Sequence, residues 1–332
     1  MNILLPDEKY LHVLLDHCFG WDIVFSMLQK IKLIFLMWVC LLTASWQLEA
    51  GAQETISTID ILSTSAASPW VENEYVKSRI VSSHSGVAQD PSVLHYLGWE
   101  IILKKNGWKT YWRSPGDAGN PPRFTWDGSV NLAKADVYFP RPERFQIFGI
   151  QTFGYGNRVI LPIRIAPQIG GSAMKVRVQA EFMACKEICI PFNAEYSLDL
   201  PASVGKIGME HQQSVYADDI RSFVLEVPQA GADKNDRLEV AEVSLAGVAG
   251  QQSLSILLLG ENHLAGADAF IEAPKHFKFG APQKQLLGTG NELRMVFPVH
   301  STLAGAVLNG EELLVTIHDG WGYAREQHVT LP

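Results

Sequence analysis

Cys185 and Cys189, in the run Cys185-Lys186-Glu187-Ile188-Cys189-Ile190-Pro191, are the residues of this sequence best suited to do chemistry. A thiol pair can close a structural bridge, cycle between dithiol and disulfide, or hold a soft metal. On one extended strand their α-carbons would stand about 13 Å apart, whereas a disulfide needs roughly 4.4–6.8 Å. The backbone must therefore reverse between them. The strand Met174–Phe182 is expected to run up to this turn and Asn193–Leu200 away from it, with Pro191 a strand breaker or edge residue. The pair would then sit at a hairpin tip, within reach of another protein.

A loop this short gives about 2 kcal/mol through chain entropy, less than longer loops give. A chain of 332 residues can bury adequate cores without it. A small accessible bridge is a weak staple and a reducible one, so the spacing favours redox activity and leaves the structural role open. Lys186 would stabilise a thiolate and Glu187 would oppose it, giving no net direction. Met183, Cys185 and Cys189 together offer three soft sulfur ligands, which makes Cu(I) binding an alternative. The ten histidines show no metal-ligand spacing, and no cofactor is expected.

The elements that must position the pair read as strands. Short runs rich in Val, Ile, Leu and aromatics alternate with Gly, Pro and Asn clusters. Examples are Leu97–Lys104, Val159–Ile165, Met174–Phe182 and Tyr196–Leu200, then Leu238–Leu245, Leu254–Leu259, Leu293–Val299 and Leu313–His318. Val176, Val178 and Ala180 alternate with Lys175, Arg177, Gln179 and Glu181, a period of two that marks a strand with one wet face. Gly208–Val224 is the one helical stretch and would bridge the halves. Ala135-Asp136-Val137-Tyr138-Phe139 matches Ala267-Asp268-Ala269-Phe270-Ile271, and Phe153-Gly154-Tyr155-Gly156-Asn157 matches Leu287-Gly288-Thr289-Gly290-Asn291. These matches predict an all-β chain of two β-sandwiches in tandem, over 70–203 and 204–332, the second without cysteines.

Charge and the amino terminus bound the setting. A net charge of −8 and the lack of a Lys/Arg run argue against a nucleic-acid surface. Arg141, Arg144 and Arg158 read as solvated strand faces. Within 27–52, Lys30 and Lys32 precede an apolar Leu33–Leu42, and Ala50-Gly51-Ala52 offers a small-x-small cleavage site. This predicts a cleaved signal peptide and a periplasmic protein, with an uncleaved anchor as the alternative. Residues 1–26 read as an upstream extension and 53–69 as a linker. Export sets aside Cys18 and Cys40 and leaves Cys185 and Cys189 with only each other.

The span Gly107 to Pro201 resembles the amino-terminal periplasmic domain of the DsbD thiol:disulfide interchange family, and more particularly its ScsB-like branch, associated with copper tolerance. The resemblance rests on the run Gly107-Trp108-Lys109-Thr110-Tyr111-Trp112-Arg113-Ser114-Pro115-Gly116-Asp117-Ala118-Gly119. Ala135-Asp136-Val137, Phe148-Gly149, Val159-Ile160-Leu161-Pro162 and Cys185…Cys189-Ile190-Pro191 add to it. It implies an immunoglobulin-like sandwich that takes two electrons from a thioredoxin-like partner and passes them to oxidised periplasmic proteins, as a protein-disulfide reductase component. Cys189 would form the mixed disulfides and Cys185 would be the resolving thiol. Phe148, before Gly149, would cap the pair, and Tyr111 and Trp112 would line the same side, with ordinary core packing the alternative for these aromatics. The family's membrane electron carrier and thioredoxin-like domain are not in this sequence. Separate partners are therefore expected to feed it, and to be its only link to the membrane. The spacer between the cysteines is shorter than in the best-known members. Gly154-Tyr155-Gly156 and Gly288-Thr289-Gly290 lack the third glycine of a dinucleotide fingerprint and read as turns.

Overall fold

The structure is a computed structural model that describes residues 66–90, 92–147, 149–202, 213–231 and 237–331. The first half contains β1 (Val71–Glu72), β2 (Val76–Ser82), β3 (His95–Leu103), β4 (Lys109–Gly116), β5 (Arg123–Thr125) and β6 (Leu132–Val137). It continues with β7 (Glu143–Ile147), β8 (Ile150–Gly156), β9 (Arg158–Pro167), β10 (Met174–Cys185) and β11 (Cys189–Leu200). Among the described residues these form two antiparallel sheets, ordered β1-β2-β3-β9-β6 and β11-β10-β4-β8-β7, with β5 added beside β10. The period-two reading decides which side chains meet between them. Val176, Val178, Ala180, Phe182 and Ala184 of β10 enter the core with Trp99, Leu161 and Tyr196, while Lys175, Gln179 and Glu181 stay wet.

Among the described residues the second half begins with a helix, α1 (Ala217–Leu225), followed by β12 (Gln229–Ala230), β13 (Leu238–Ala246), β14 (Ser253–Gly260), β15 (Asp268–Glu272) and β16 (Phe277–Phe279). Then come β17 (Gln283–Leu287), β18 (Glu292–Ser301), β19 (Glu312–His318) and β20 (Ala324–Thr330). Sheets β12-β20-β19-β15 and β13-β14-β18-β16, with β17 beside β18, enclose a separate core that includes Leu254, Ile256, Met295, Phe297 and Val315. The chain is all-β with tandem sandwiches, as expected. The helix starts at Ala217, later than Gly208, and residues 208–212 lie outside the described residues. Its Ile220 packs on Val81 and Ile160, so it is laid on the first sandwich.

The internal repeat holds for the order of the main strands and fails for both matched segments: Phe153–Gly156 lie in β8, paired with β4, whereas Leu287 ends β17, paired with β18. β2-β3-β9 and β13-β14-β18 are equivalent rows, and the hairpins β10-β11 and β19-β20 end the two halves alike. Ala135-Asp136-Val137, however, pairs with β9, whereas the matching residues of β15 pair with β19. The two segments therefore belong to different sheets. Alternating small and apolar residues satisfy either position, which is why the sequence match misleads.

The arginines read as solvated are in fact paired. Arg144 forms a two-pronged ion pair with Asp268 at 2.9 and 3.1 Å and donates to the Ala269 carbonyl. Arg158 joins buried Glu100 to Asp219 of α1, and Arg141 lies beside Glu226. Spacing along one strand carries no sign of a carboxylate that a distant strand supplies.

Candidate functional site

β10 and β11 stay in unbroken register from Met174 opposite Leu200 to Cys185 opposite Cys189, and Lys186-Glu187-Ile188 close the hairpin. The Lys186 N–H donates to the Ile188 carbonyl at 3.1 Å. The cysteine α-carbons are 4.2 Å apart and their sulfurs are bonded. Both strands run further than the sequence suggested, right up to the cysteines. Pro191 faces Met183 on β11, an edge strand where its missing N–H removes no ladder bond.

The two sulfurs differ in access. Cys185 is 0% exposed, while Cys189 is exposed along with all three loop residues, Ile188 at 63%. Of the two bonded residues, Cys189 is the one that meets solvent. Beside the pair, an open groove of about 470 Å³ is lined by Pro121, Arg123, Phe182, Met183, Pro191 and Phe192.

β4 supplies the floor. The Tyr111 hydroxyl lies 3.3 Å from the Cys189 sulfur. A disulfide sulfur has no proton to give, so the phenol donates. Burial raises the phenol pKa, which keeps that proton in place at neutral pH. Gly119 lies against the ring with φ of +94°, and a β-carbon there would fall 2.1 Å from Tyr111 Cζ. Only glycine fits that contact, which gives the last glycine of the Ser114–Gly119 run a physical reason. Across from Tyr111, a β-carbon at Gly154 would meet the Thr110 carbonyl at 1.9 Å, so β8 can approach β4 only without a side chain there.

Lys109 is a member of this site that the sequence reading missed. It is the register partner of Cys185 on one side and of Gly156 on the other, and it is 1% exposed. Its ammonium donates to Thr152 Oγ1 at 2.6 Å and lies 4.9 Å from the centre of the Phe145 ring. Burial pulls its pKa down to about 8. The available signal was the spacing, since a lysine two residues before Tyr111 on a strand must share its face.

The other expected site residues divide. Tyr111 reaches the pair and Trp112 does not. Consecutive strand residues point to opposite faces, and Trp112 is fully buried in the first core, 5.8 Å from Phe270 of the second half. Its neighbour Arg113 pairs with Glu272 and Glu326. The last two residues of the Trp-Lys-Thr-Tyr-Trp-Arg run, Trp112 and Arg113, thus serve the joint between the sandwiches. Met183, offered as a copper ligand, lies on the outward face with the cysteines, one pair along from them. Gly149 occupies the turn between β7 and β8 with φ of +81°. Phe148 lies outside the described residues, as does the expected signal segment at 27–52. Among the described residues no helix is long and apolar enough to cross a membrane.

The fold and site together define a β-sandwich that carries a disulfide at a hairpin tip, with Cys185 buried and Cys189 exposed. Residues 89–201 match the family described as thiol:disulfide interchange protein DsbD, N-terminal, so the resemblance read from the sequence holds for the segment carrying both cysteines. Residues 226–332 match a domain of unknown function, DUF8393. The chain is similar in structure to the crystallised N-terminal periplasmic domain of ScsB from Proteus mirabilis, with a TM-score of 0.61 and 22% identity. That similarity covers 81% of this chain and 99% of the other. No curated protein matches the sequence.

Proposed function

We propose that this chain is a periplasmic thiol:disulfide exchange protein that relays electrons from a thioredoxin-like partner, itself fed by a membrane carrier, to oxidised periplasmic proteins. The observation that carries the reading is the unequal access of the two bonded sulfurs at the hairpin tip. A partner thiolate attacks Cys189 Sγ in line with the S–S bond. That bond breaks, and its electron pair leaves on Cys185. The partner's second thiol gives up its proton and attacks its own sulfur in the mixed disulfide, which releases Cys189 as a thiolate. Two electrons have then entered the hairpin, and the partner leaves as a disulfide. Onward transfer repeats the steps in reverse, with Cys189 attacking the substrate disulfide and Cys185 resolving the mixed species.

The exposed Ile188 and the groove beside Met183 and Pro191 give a docking protein apolar surface next to the reacting sulfur. We assign the redox sandwich to 70–203 and the cysteine-free sandwich to 204–332. The outward position of Met183 also supports a second reading, in which the reduced pair and this thioether hold Cu(I).

One experiment separates these readings from a structural bridge. The purified protein is equilibrated with glutathione buffers and with a reduced thioredoxin-like protein, and the reduced form is then titrated anaerobically with Cu(I). Rapid two-electron exchange supports the relay, and stoichiometric copper with slow exchange supports the metal site. A bridge that stays closed against strong dithiols rules out both.

A further inference from the structure

Among the described residues the buried Lys109 ammonium forms no ion pair, and the residue opposite it on β10, Cys185, holds a buried sulfur that must become an anion. When the S–S bond breaks, the leaving electron pair resides on Cys185, which water does not reach. A desolvated thiolate is strongly disfavoured unless a positive charge compensates it. Lys109, its register partner on β4, is equally desolvated, and directly opposed residues place their β-carbons about 5 Å apart on one face of the sheet. Each group lacks what the other offers.

We propose that Lys109 is the resident counter-cation of the reduced site, compensating the thiolate formed at Cys185 and so making Cys185 a better leaving group. This inference rests on the exchange reading and adds to it how the site is tuned. Lys109 acts on a protein sulfur and not on the partner, so it is a positioning residue.

Among the described residues no carboxylate forms an ion pair with Lys109. From β4 it shares a face with the Tyr111 phenol, and from β8 it faces Thr152 and Gly156. From β7 it meets the Phe145 ring. The exposed Glu143 carboxylate of β7 lies near Gly156 but forms no ion pair with Lys109 among the described residues. Lys186 and Glu187 lie in the exposed loop, 3.8 Å from each other. In the disulfide form the ammonium is left with a hydroxyl and a ring face. Those ligands suit a flexible stem that can turn to a new anion. The depressed pKa of the oxidised form, about 8, follows from the same burial and leaves room for it to rise when a thiolate appears. Linkage makes the effect reciprocal: a thiolate that raises the lysine pKa has its own pKa lowered equally.

The test is to titrate the full-length protein, labelled at lysine Cε, by NMR in the oxidised form and after reduction with dithiothreitol. The Lys109 midpoint is expected to rise by at least one unit on reduction, and an unchanged midpoint overturns the proposal. In parallel, Lys109→Met should raise the lowest thiol pKa, followed by thiolate absorbance at 240 nm, by about one unit or more. It should also slow reduction by a thioredoxin-like dithiol about tenfold at pH 7. Wild-type thiol pKa and rate in the variant count against the inference. If the variant does not fold, the wild-type lysine titration decides alone. If the wild-type protein exchanges with no thioredoxin-like dithiol, the relay falls, while the chemically reduced protein still reports whether Lys109 senses the thiolate.

Discussion

The phenol of Tyr111 and the sulfur of Cys189 lie 3.3 Å apart across a sequence separation of 78 residues. The contact fixes the exposed sulfur to the floor strand and aims a hydrogen-bond donor at the atom that carries negative charge once Cys189 is released. Hydrogen bonding to the charged form lowers a thiol's pKa. Tyr111→Phe is therefore expected to raise the Cys189 pKa by about one unit and to slow reduction of substrate disulfides several-fold at pH 7. Stability should change by only about 1 kcal/mol. Thiolate absorbance against pH, with a urea denaturation curve, checks both halves of this statement.

Unequal access predicts unequal trapping. Cys185→Ser should leave a thiol at Cys189 that accumulates mixed disulfides with a thioredoxin-like partner, visible on non-reducing gels. Cys189→Ser, with its remaining thiol buried, should accumulate almost none. Equal trapping by the two variants would contradict the assignment of Cys189 as the attacked sulfur.

At Gly119 both the positive φ and the Tyr111 ring exclude a side chain. Gly119→Ala should destabilise the protein by about 3 kcal/mol. It should also weaken the Tyr111–Cys189 contact, so the thiol pKa moves in the same direction as in Tyr111→Phe. Urea unfolding and thiol titration of the same sample test the coupling.

Much of the fold was legible because strand periodicity is local. The alternation along Lys175–Glu181 already separated wet from dry faces, and the short Cys185–Cys189 spacing demanded a reversal. What was not legible depended on neighbours distant in sequence. Trp112 was placed on the disulfide side by the family resemblance, though alternation along β4 forces it to the other face. Lys109 went unnoticed because a lysine between aromatics looks like a solvated residue until β8 and β10 are placed on either side of it. Arg144 could be understood only once Asp268 was brought to it.

The Arg144–Asp268 pair has a pH signature. Burial pushes the Asp268 carboxyl up, but the hydrogen bonds and charge of Arg144, helped by Lys284, carry it below its ordinary 3.8. Its folded pKa lies under the unfolded one, so its contribution is present above about pH 4 and is lost as pH falls through the folded value. Asp268→Asn leaves Arg144 without a counter-charge and should cost about 2 kcal/mol at pH 7, less than for a fully sealed pair. It should also flatten the stability profile below pH 4. Calorimetry of both proteins from pH 2 to 7 checks the size and the window.

Two buried histidines set a higher window. Burial lowers His318 to about 4 and, with the charge of His84, lowers His95 to about 3, against 6.5 in the unfolded chain. The unfolded state binds more protons between these limits, so stability is full above about pH 6.5 and falls as pH drops toward 4 and 3. His318→Asn, whose side-chain oxygen can still accept from the Gly320 N–H that Nδ1 now binds, should remove part of that slope. A slope identical to wild type in thermal unfolding would refute the assignment.

Phe270 sits in the second half by sequence and in the first core by packing, edge-on to Phe153 at 5.0 Å and near Trp112. One sandwich therefore plugs the other. A fragment cut between them would carry an open socket where an aromatic ring belongs, and its loosened wall would include β4, the strand that holds Lys109 and Tyr111 under the sulfurs. The half without cysteines is in this sense part of the disulfide site, since it keeps the strand beneath the bridge taut.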